Sequence, residues 1–241
     1  MNINFYCEFH EALEHKPYPL KEVLPQWYKD LPAFVNRQRN NRTVRVCLPF
    51  ADALTSGYCI PLPLDLKITK KEKGFTYDYG MINTQFGETH EKLEIGFDLH
   101  SKQQATNMPV PPGHFDVVCK LILPWIITTP PGYSCLFTPP MNRERKYFEI
   151  LSGIVDTDSY RGNQNFPMYL KDWDENKGPF QELLIPAGTP VAHVFPFKRD
   201  KWKMNIDKRP PNYSKNLWRI SFFSDWAHNY RNKNWTKKEY K

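Results

Sequence analysis

The segment GIVDTDSYRG carries four side chains that could bind a ligand. Asp156 and Asp158 lie two residues apart, so an extended backbone would place both carboxylates on one face. Tyr160 and Arg161 add a phenol and a guanidinium, which can bind a sugar hydroxyl and an anion. The set predicts a polar ligand site or a metal site. The alternative is a turn in which the aspartates accept hydrogen bonds from nearby backbone.

A second set of residues combines two histidines with a carboxylate. His114 and Asp116 form an H-x-D pair at the head of a strongly apolar run, and His193 lies on a later predicted strand. Two histidines and one carboxylate on a β-barrel are the ligands of non-haem iron oxygenases, which would require Fe²⁺. Arg219 could then bind the carboxylate of a co-substrate. The simpler interpretation is two unrelated histidines, because an H-x-D pair often arises by chance.

The cysteines do not indicate a disulfide framework or a zinc site. The chain has five, widely spaced and without a CxxC pair, which favours reduced thiols in a cytoplasm. Cys119 and Cys135 lie in apolar runs, and the sequence shows no base that would activate either as a nucleophile. Glycine loops that bind phosphate and serine-hydrolase elbows are also absent from the sequence. We found no secretory signal and no apolar stretch long enough to span a membrane.

The elements that would position these residues are predicted to be mainly strands. Proline occurs 22 times against 11 glycines, which favours short strands joined by rigid turns. Apolar alternation predicts strands over 117–129, 134–138 and 191–197, and also over TVRVCLPF at 43–50. We expect one mainly β domain of the jelly-roll or β-clip type.

The two ends of the chain are predicted to decorate this core. Leu24, Trp27, Tyr28 and Leu31 have helical spacing, which predicts a short helix within an N-terminal decoration over 1–42. The β core would span 43–197. A basic, aromatic segment would follow over 198–241, with a small helix at DWAHNYR.

The C-terminal segment holds most of the positive charge. Residues 198–241 contain thirteen Lys and Arg against four Asp and Glu, so this segment carries a net charge of +9. The whole chain carries +7, so the remaining residues together carry −2. Four of the seven tryptophans, Trp202, Trp218, Trp226 and Trp235, also lie there. Aromatic and basic residues together are typical of surfaces that bind single-stranded nucleic acid. We expect instead that the tryptophans pack on the body while the lysines face water, because tryptophan is usually buried.

Several motifs resemble the dUTPase and dCTP-deaminase superfamily. The strand–PPGY–strand run at 127–143, GIVDTDSYRG at 153–162 and IPAGTPVAHVFP at 185–196 follow that family's order. The resemblance implies a β-clip fold that commonly completes its site with a neighbouring subunit. It also implies a nucleotide substrate with Mg²⁺.

The same resemblance implies roles for individual residues. Asp156 would be the carboxylate that activates water, and Tyr160 would pack under the sugar. The family's serine-bearing phosphate motif is replaced here by PPMNR, in which Asn142 and Arg143 could donate to phosphate, and the glycine-rich C-terminal arm is missing. The resemblance therefore implies a shared fold with lost or altered catalysis.

A second resemblance covers nearly the whole chain. PPGYS, GIVDTD, PAGTP and PFKRDKW, with LPQWYKDLP near the N-terminus, are similar to motifs of a bacterial and phage protein family that implies no established activity. From these observations we expect a cytoplasmic protein, or a virion protein if phage-encoded, that forms homo-oligomers and binds a small polar ligand such as a nucleotide. The alternatives are the metal-dependent oxygenase and a non-catalytic interaction or virion-associated protein.

Overall fold

The computed structural model describes residues 1–8, 10–38, 41–70, 75–79, 96–100, 103–172, 181–208 and 230–241. Its contacts divide the chain into two compact units. The first unit comprises residues 1–18 and 57–198, and the second comprises residues 19–56 and 199–241. The sequence-based prediction of a single domain stays a prediction.

Strands dominate the described residues, as the sequence predicted. They are β1 (Asn4–Tyr6), β2 (Tyr18–Pro19), β3 (Tyr58–Pro61), β4 (Leu66–Lys70), β5 (Phe75–Tyr79), β6 (Gly96–Leu99), β7 (His114–Leu123), β8 (Ile126–Thr128), β9 (Tyr133–Thr138), β10 (Phe148–Ile150), β11 (Gly153–Val155), β12 (Gln164–Lys171), β13 (Gln181–Ile185) and β14 (Pro190–Lys198). The strands predicted over 117–129, 134–138 and 191–197 are confirmed: the first segment forms β7 and β8, the second forms β9 and the third forms β14.

The strands form antiparallel sheets. The largest has the order β11-β9-β14-β3-β2, and a four-stranded sheet has the order β10-β12-β7-β6. β13-β4-β5 and β1-β8 complete the described sheets. Pro196 fits within β14 because the pairing of β14 with β3 ends at Val194, so no partner on that side needs an N–H from residue 196.

The core of the first unit lies where these sheets present their apolar faces to one another. β7 and β12 contribute Leu121 and Phe166, and β3 and β9 contribute Ile60 and Phe137, all of which are nearly or completely buried. Phe137 and Phe166 meet edge to face, with ring centroids 5.7 Å apart. The alternation of apolar and polar residues along each strand produces this core, because successive side chains point to opposite faces.

A 3₁₀ helix at His10–His15 lies in the first unit, and the other short helices lie in the second. These are α1 (Gln26–Asp30), α2 (Leu48–Thr55), 3₁₀ turns at Leu20–Glu22, Val35–Arg37 and Val44–Val46, and a π turn at Tyr230–Asn234. The predicted N-terminal helix is confirmed as α1. Arg45 donates to the carbonyl of Tyr28 at 2.7 Å, and its guanidinium lies 4.9 Å from the Tyr28 ring centroid, which fixes the turn before α2.

The prediction of a strand over 43–50 is wrong. Thr43 accepts a hydrogen bond from the backbone N–H of Arg45 and begins a 3₁₀ turn, and α2 follows directly. Pro49 lies in the first turn of α2, where its fixed backbone angle suits a helix and its missing N–H costs nothing.

The tryptophans of the C-terminal segment differ from one another. Trp235 is half-buried and donates through Nε1 to Asp52 at 2.9 Å, as expected of a packed aromatic residue. Trp202 is 91% exposed, which contradicts the expected packing. Trp218, Trp226, Arg219 and residues 225–229 of the predicted helix DWAHNYR lie outside the described residues. No helix among the described residues is long and apolar enough to cross a membrane.

Candidate functional site

The turn after β9 carries the PPMNR motif and leads into β10. Asn142 has a φ of 56° within this turn, a left-handed conformation that asparagine adopts more readily than most residues. The run RERKY at 143–147 follows and ends one residue before β10 begins. The turn therefore places a dense set of charged side chains at the edge of the β10-β12-β7-β6 sheet.

A buried histidine holds the start of this turn. The backbone N–H of Met141 donates to Nδ1 of His193, 3.4 Å away, and the His193 side chain is completely buried on β14. The ring lies against Phe195, with centroids 4.1 Å apart. Because Nδ1 accepts this bond, a neutral ring carries its proton on Nε2. His193 is thus engaged in positioning the turn.

Arg143 lies beside a buried thiol and a phenol. Burial raises the pKa of the Cys59 thiol to about 11, an effect that the hydrogen bond from Tyr18 and the charge of Arg143 reduce only in part. Burial also lowers the pKa of Arg143 and raises that of Tyr18. Asn142 and Arg143, predicted to bind phosphate, do not line the cavity that the turn encloses.

This cavity, which we call the basic cavity, has a volume of about 180 Å³. Its walls come from the turn after β9, from β10 and from the start of β14 with the preceding residue. They comprise Pro139, Pro140, Glu144, Arg145, Lys146, Tyr147, Phe148, Ile150, Thr189, Pro190 and Val191. The wall combines two cations and one carboxylate with aromatic rings and prolines, so it suits a ligand with a flat or apolar part and a negative charge.

Arg145 has an incomplete set of partners in the described structure. Its NH1 donates to Glu149 Oε1 at 2.6 Å, and both side chains are about one-third exposed. Its Nε is buried and has no hydrogen-bond acceptor among the described residues. A buried donor without an acceptor costs about 1–3 kcal/mol, so this Nε destabilises the present arrangement of the Arg145 side chain.

Lys146 and Tyr147 form the second part of the wall. The Lys146 Nζ lies 5.1 Å from the centroid of the Tyr147 ring, within the range of a cation–π interaction. The lysine has three rotatable donors on a flexible stem and can turn toward an anion. Sequence analysis missed Arg145, Lys146 and Tyr147 as site residues. The sequence feature that could have indicated them is the run RERKY, in which four charged residues precede a tyrosine.

The predicted site at Asp156 has the geometry of a turn held by its own side chains. Asp156 Oδ1 accepts from the buried hydroxyl of Ser134 at 2.6 Å, and Asp158 Oδ2 accepts from the backbone N–H of Gly132 at 2.8 Å. Between them, the buried Thr157 hydroxyl lies 2.7 Å from that of Thr129. Asp156 therefore joins the turn after β11 to β9, and Asp158 joins it to the PPGY turn.

Tyr160 and Arg161 also bond locally. The Tyr160 hydroxyl donates to the carbonyl of Asn163 at 3.1 Å, and the Arg161 guanidinium donates to the carbonyls of Thr157 and Asp158. None of the four predicted residues lines the basic cavity or the cavity that Asp116 lines. The assignment of Asp156 as catalytic stays a prediction.

The structure does not bring the predicted iron ligands together. His114 and Asp116 lie on β7, whereas His193 lies on β14 of the other large sheet. Within the described ranges, no group of three His, Cys, Asp or Glu side chains is placed to hold a metal ion. Asp116 instead lines a cavity of about 450 Å³ between β7 and the loop before it, together with His100, Asn107 and Tyr169.

Comparisons with known proteins add no family to this description. Neither protein-family models nor curated proteins match the sequence.

Proposed function

We propose that this chain binds a phosphorylated small molecule of the nucleotide class in the basic cavity and lacks ordinary dUTPase catalysis. The observation that carries the proposal is the presence of two cationic side chains, Arg145 and Lys146, on the wall of one cavity beside the Tyr147 ring. A phosphate oxygen is a strong acceptor for a guanidinium N–H. Lys146 supplies a second positive charge beside it.

The dimensions of the cavity limit what enters it. A volume of about 180 Å³ lies below the roughly 300–1,000 Å³ usual for sites that enclose a complete ligand. The cavity therefore accommodates one part of a nucleotide. We propose that the phosphate approaches Arg145 and Lys146 while a ring packs against Tyr147 and the neighbouring prolines.

The proposed relation to the β-clip or jelly-roll architecture draws on the order of strands and motifs. β8 and β9 flank the PPGY turn, in which Gly132 adopts a positive φ of 83°, and β11 leads into the aspartate-bearing turn. The side chain that would activate water, Asp156, accepts a hydrogen bond from Ser134. This contact supports a structural role for Asp156 and a binding protein without that hydrolytic step.

Isothermal titration calorimetry with dUTP, dUMP, deoxyuridine and inorganic pyrophosphate tests the proposal. We expect the phosphorylated probes to bind more tightly than deoxyuridine. The Lys146→Met change should weaken dUTP binding by about 10–100-fold, because a hydrogen bond to a charged group contributes roughly 1.5–3 kcal/mol.

Lys67→Met is the matched control. Lys67 forms an exposed ion pair with Glu182 at 2.8 Å and lies outside the cavity wall, so its loss should leave affinity unchanged. The proposal fails if none of the probes binds. It also fails if Lys146→Met and Lys67→Met have the same effect on dUTP affinity.

A further inference from the structure

Residues 199–208, which we call the arm, leave the end of β14 without regular secondary structure. Every residue of the arm is exposed. Trp202, Met204 and Ile206 are the extreme cases, with 91%, 83% and 86% of their surfaces in contact with solvent. Large apolar side chains exposed together on a folded protein mark an interaction surface.

The spacing of these side chains is that of a half-buried strand. They occupy alternate positions, so an extended arm presents them on one face and Lys201 and Lys203 on the other. A strand with this pattern buries its apolar face and pairs its backbone only when it lies on a sheet. Ten residues at about 3.3 Å each give a reach of roughly 33 Å, which is longer than an average strand.

We propose that the arm of one copy adds as a strand to the β11 edge of a second copy. β11 is an outer strand of the five-stranded sheet, paired with β9 on one side. Ile154, at its centre, is 65% exposed. Edge strands with exposed apolar side chains are templates for strand addition by another chain.

Charge complementarity favours this occupant. The arm contains four Lys and Arg against two Asp, whereas the turn that follows β11 carries Asp156 and Asp158 against one cation, Arg161. Each chain carries both a basic arm and an acidic edge, so two copies can exchange arms reciprocally and close a two-fold dimer. A partner of a different kind would need to supply both the apolar surface and the acidic charge.

Two variants separate the arm from the edge that receives it. The first combines Trp202→Ser, Met204→Ser and Ile206→Ser and retains the edge. The second is Ile154→Lys, which retains the arm and places a positive charge on the edge. Light scattering after gel filtration, at micromolar concentration, should give a dimer for the wild-type chain and a monomer for each variant.

Mixing the two monomeric variants should restore the mass of a dimer, because one intact arm then meets one intact edge. Leu184→Ser is the control, since Leu184 is 55% exposed on β13, outside the proposed contact, and its loss should leave the dimer unchanged. Circular dichroism checks that every variant retains the wild-type fold.

Three results overturn the proposal. The first is a wild-type chain that is monomeric throughout the micromolar range. The second is a folded arm variant or Ile154→Lys variant that is still dimeric. The third is a mixture that stays monomeric. If the monomeric wild-type chain binds single-stranded oligonucleotides through Trp202, the arm serves nucleic acid instead.

Discussion

The contact between Asp156 and Ser134 distinguishes a structural aspartate from a ligand-binding one. Asp156 Oδ1 accepts from the Ser134 hydroxyl at 2.6 Å, and Ser134 is completely buried on β9. Asp156→Ala removes this acceptor. Asp156→Asn keeps an oxygen of the same size at the same place but removes the negative charge.

The two changes should differ in magnitude. A hydrogen bond to a charged group contributes about 1.5–3 kcal/mol and one between neutral groups about 0.5–1.5 kcal/mol. We therefore expect Asp156→Ala to lower the free energy of unfolding by about 1.5–3 kcal/mol and Asp156→Asn by about 1 kcal/mol. If the bond to Ser134 accounts for the loss, the Asp156→Ala and Ser134→Ala effects will be non-additive by about 1–2 kcal/mol.

Urea denaturation followed by circular dichroism measures these differences, with all variants compared at a concentration where their masses agree. Calorimetry with dUTP provides the second readout. We expect affinity to stay within about twofold, or 0.4 kcal/mol, of the wild-type value. The structural interpretation is refuted if Asp156→Asn weakens dUTP binding at least tenfold, about 1.4 kcal/mol, while the free energy of unfolding is unchanged.

Three further predictions concern the backbone, the thiols and catalysis. Gly57 has a φ of 78°, and an added Cβ would lie 2.5 Å from the Val194 carbonyl oxygen. Gly57→Ala should therefore lower the free energy of unfolding by at least about 1–2 kcal/mol. Gly153→Ala is the control and should change it little, because a Cβ at residue 153 meets nothing within 4 Å. Burial raises the pKa of the Cys59 and Cys135 thiols from 9.0 to about 11. Between these pH values the folded chain retains thiol protons that the unfolded chain loses, so the midpoint of urea denaturation should fall as the pH rises from about 9 to 11. A constant midpoint over that range would contradict it. Incubation with dUTP and Mg²⁺ should release pyrophosphate far more slowly than the ordinary enzyme range of about 1–10³ per second, and a rate within that range would show that catalysis is retained.

Local pattern was sufficient to predict β7, β8, β9 and β14. β7, β9 and β14 alternate apolar and polar residues over several positions, and this alternation directly encodes which side chains face a core. It was insufficient for β12, which sequence analysis missed because Pro167 interrupts the run. The position of β12 between β10 and β7, which supplies partners along its length, determines that it is a strand.

The same limit explains the error at 43–50. Val44 and Val46 alternate as in a strand, but the hydrogen bond from Arg45 N–H to Thr43 and the position of Pro49 favour a turn and a helix. Local bonds over two or three residues decided the structure here, and the alternation of two valines carried too little information to oppose them.

The sequence by itself determined the chemical groups available for function: the aspartate turn, the RERKY run and the apolar arm pattern. Tertiary structure decided which of them meet. Arg145 and Lys146 share a cavity with Thr189 and Pro190, more than forty residues later, only because β14 lies beside β9. Distances across paired strands are set by register between segments distant in sequence, and no local pattern encodes them.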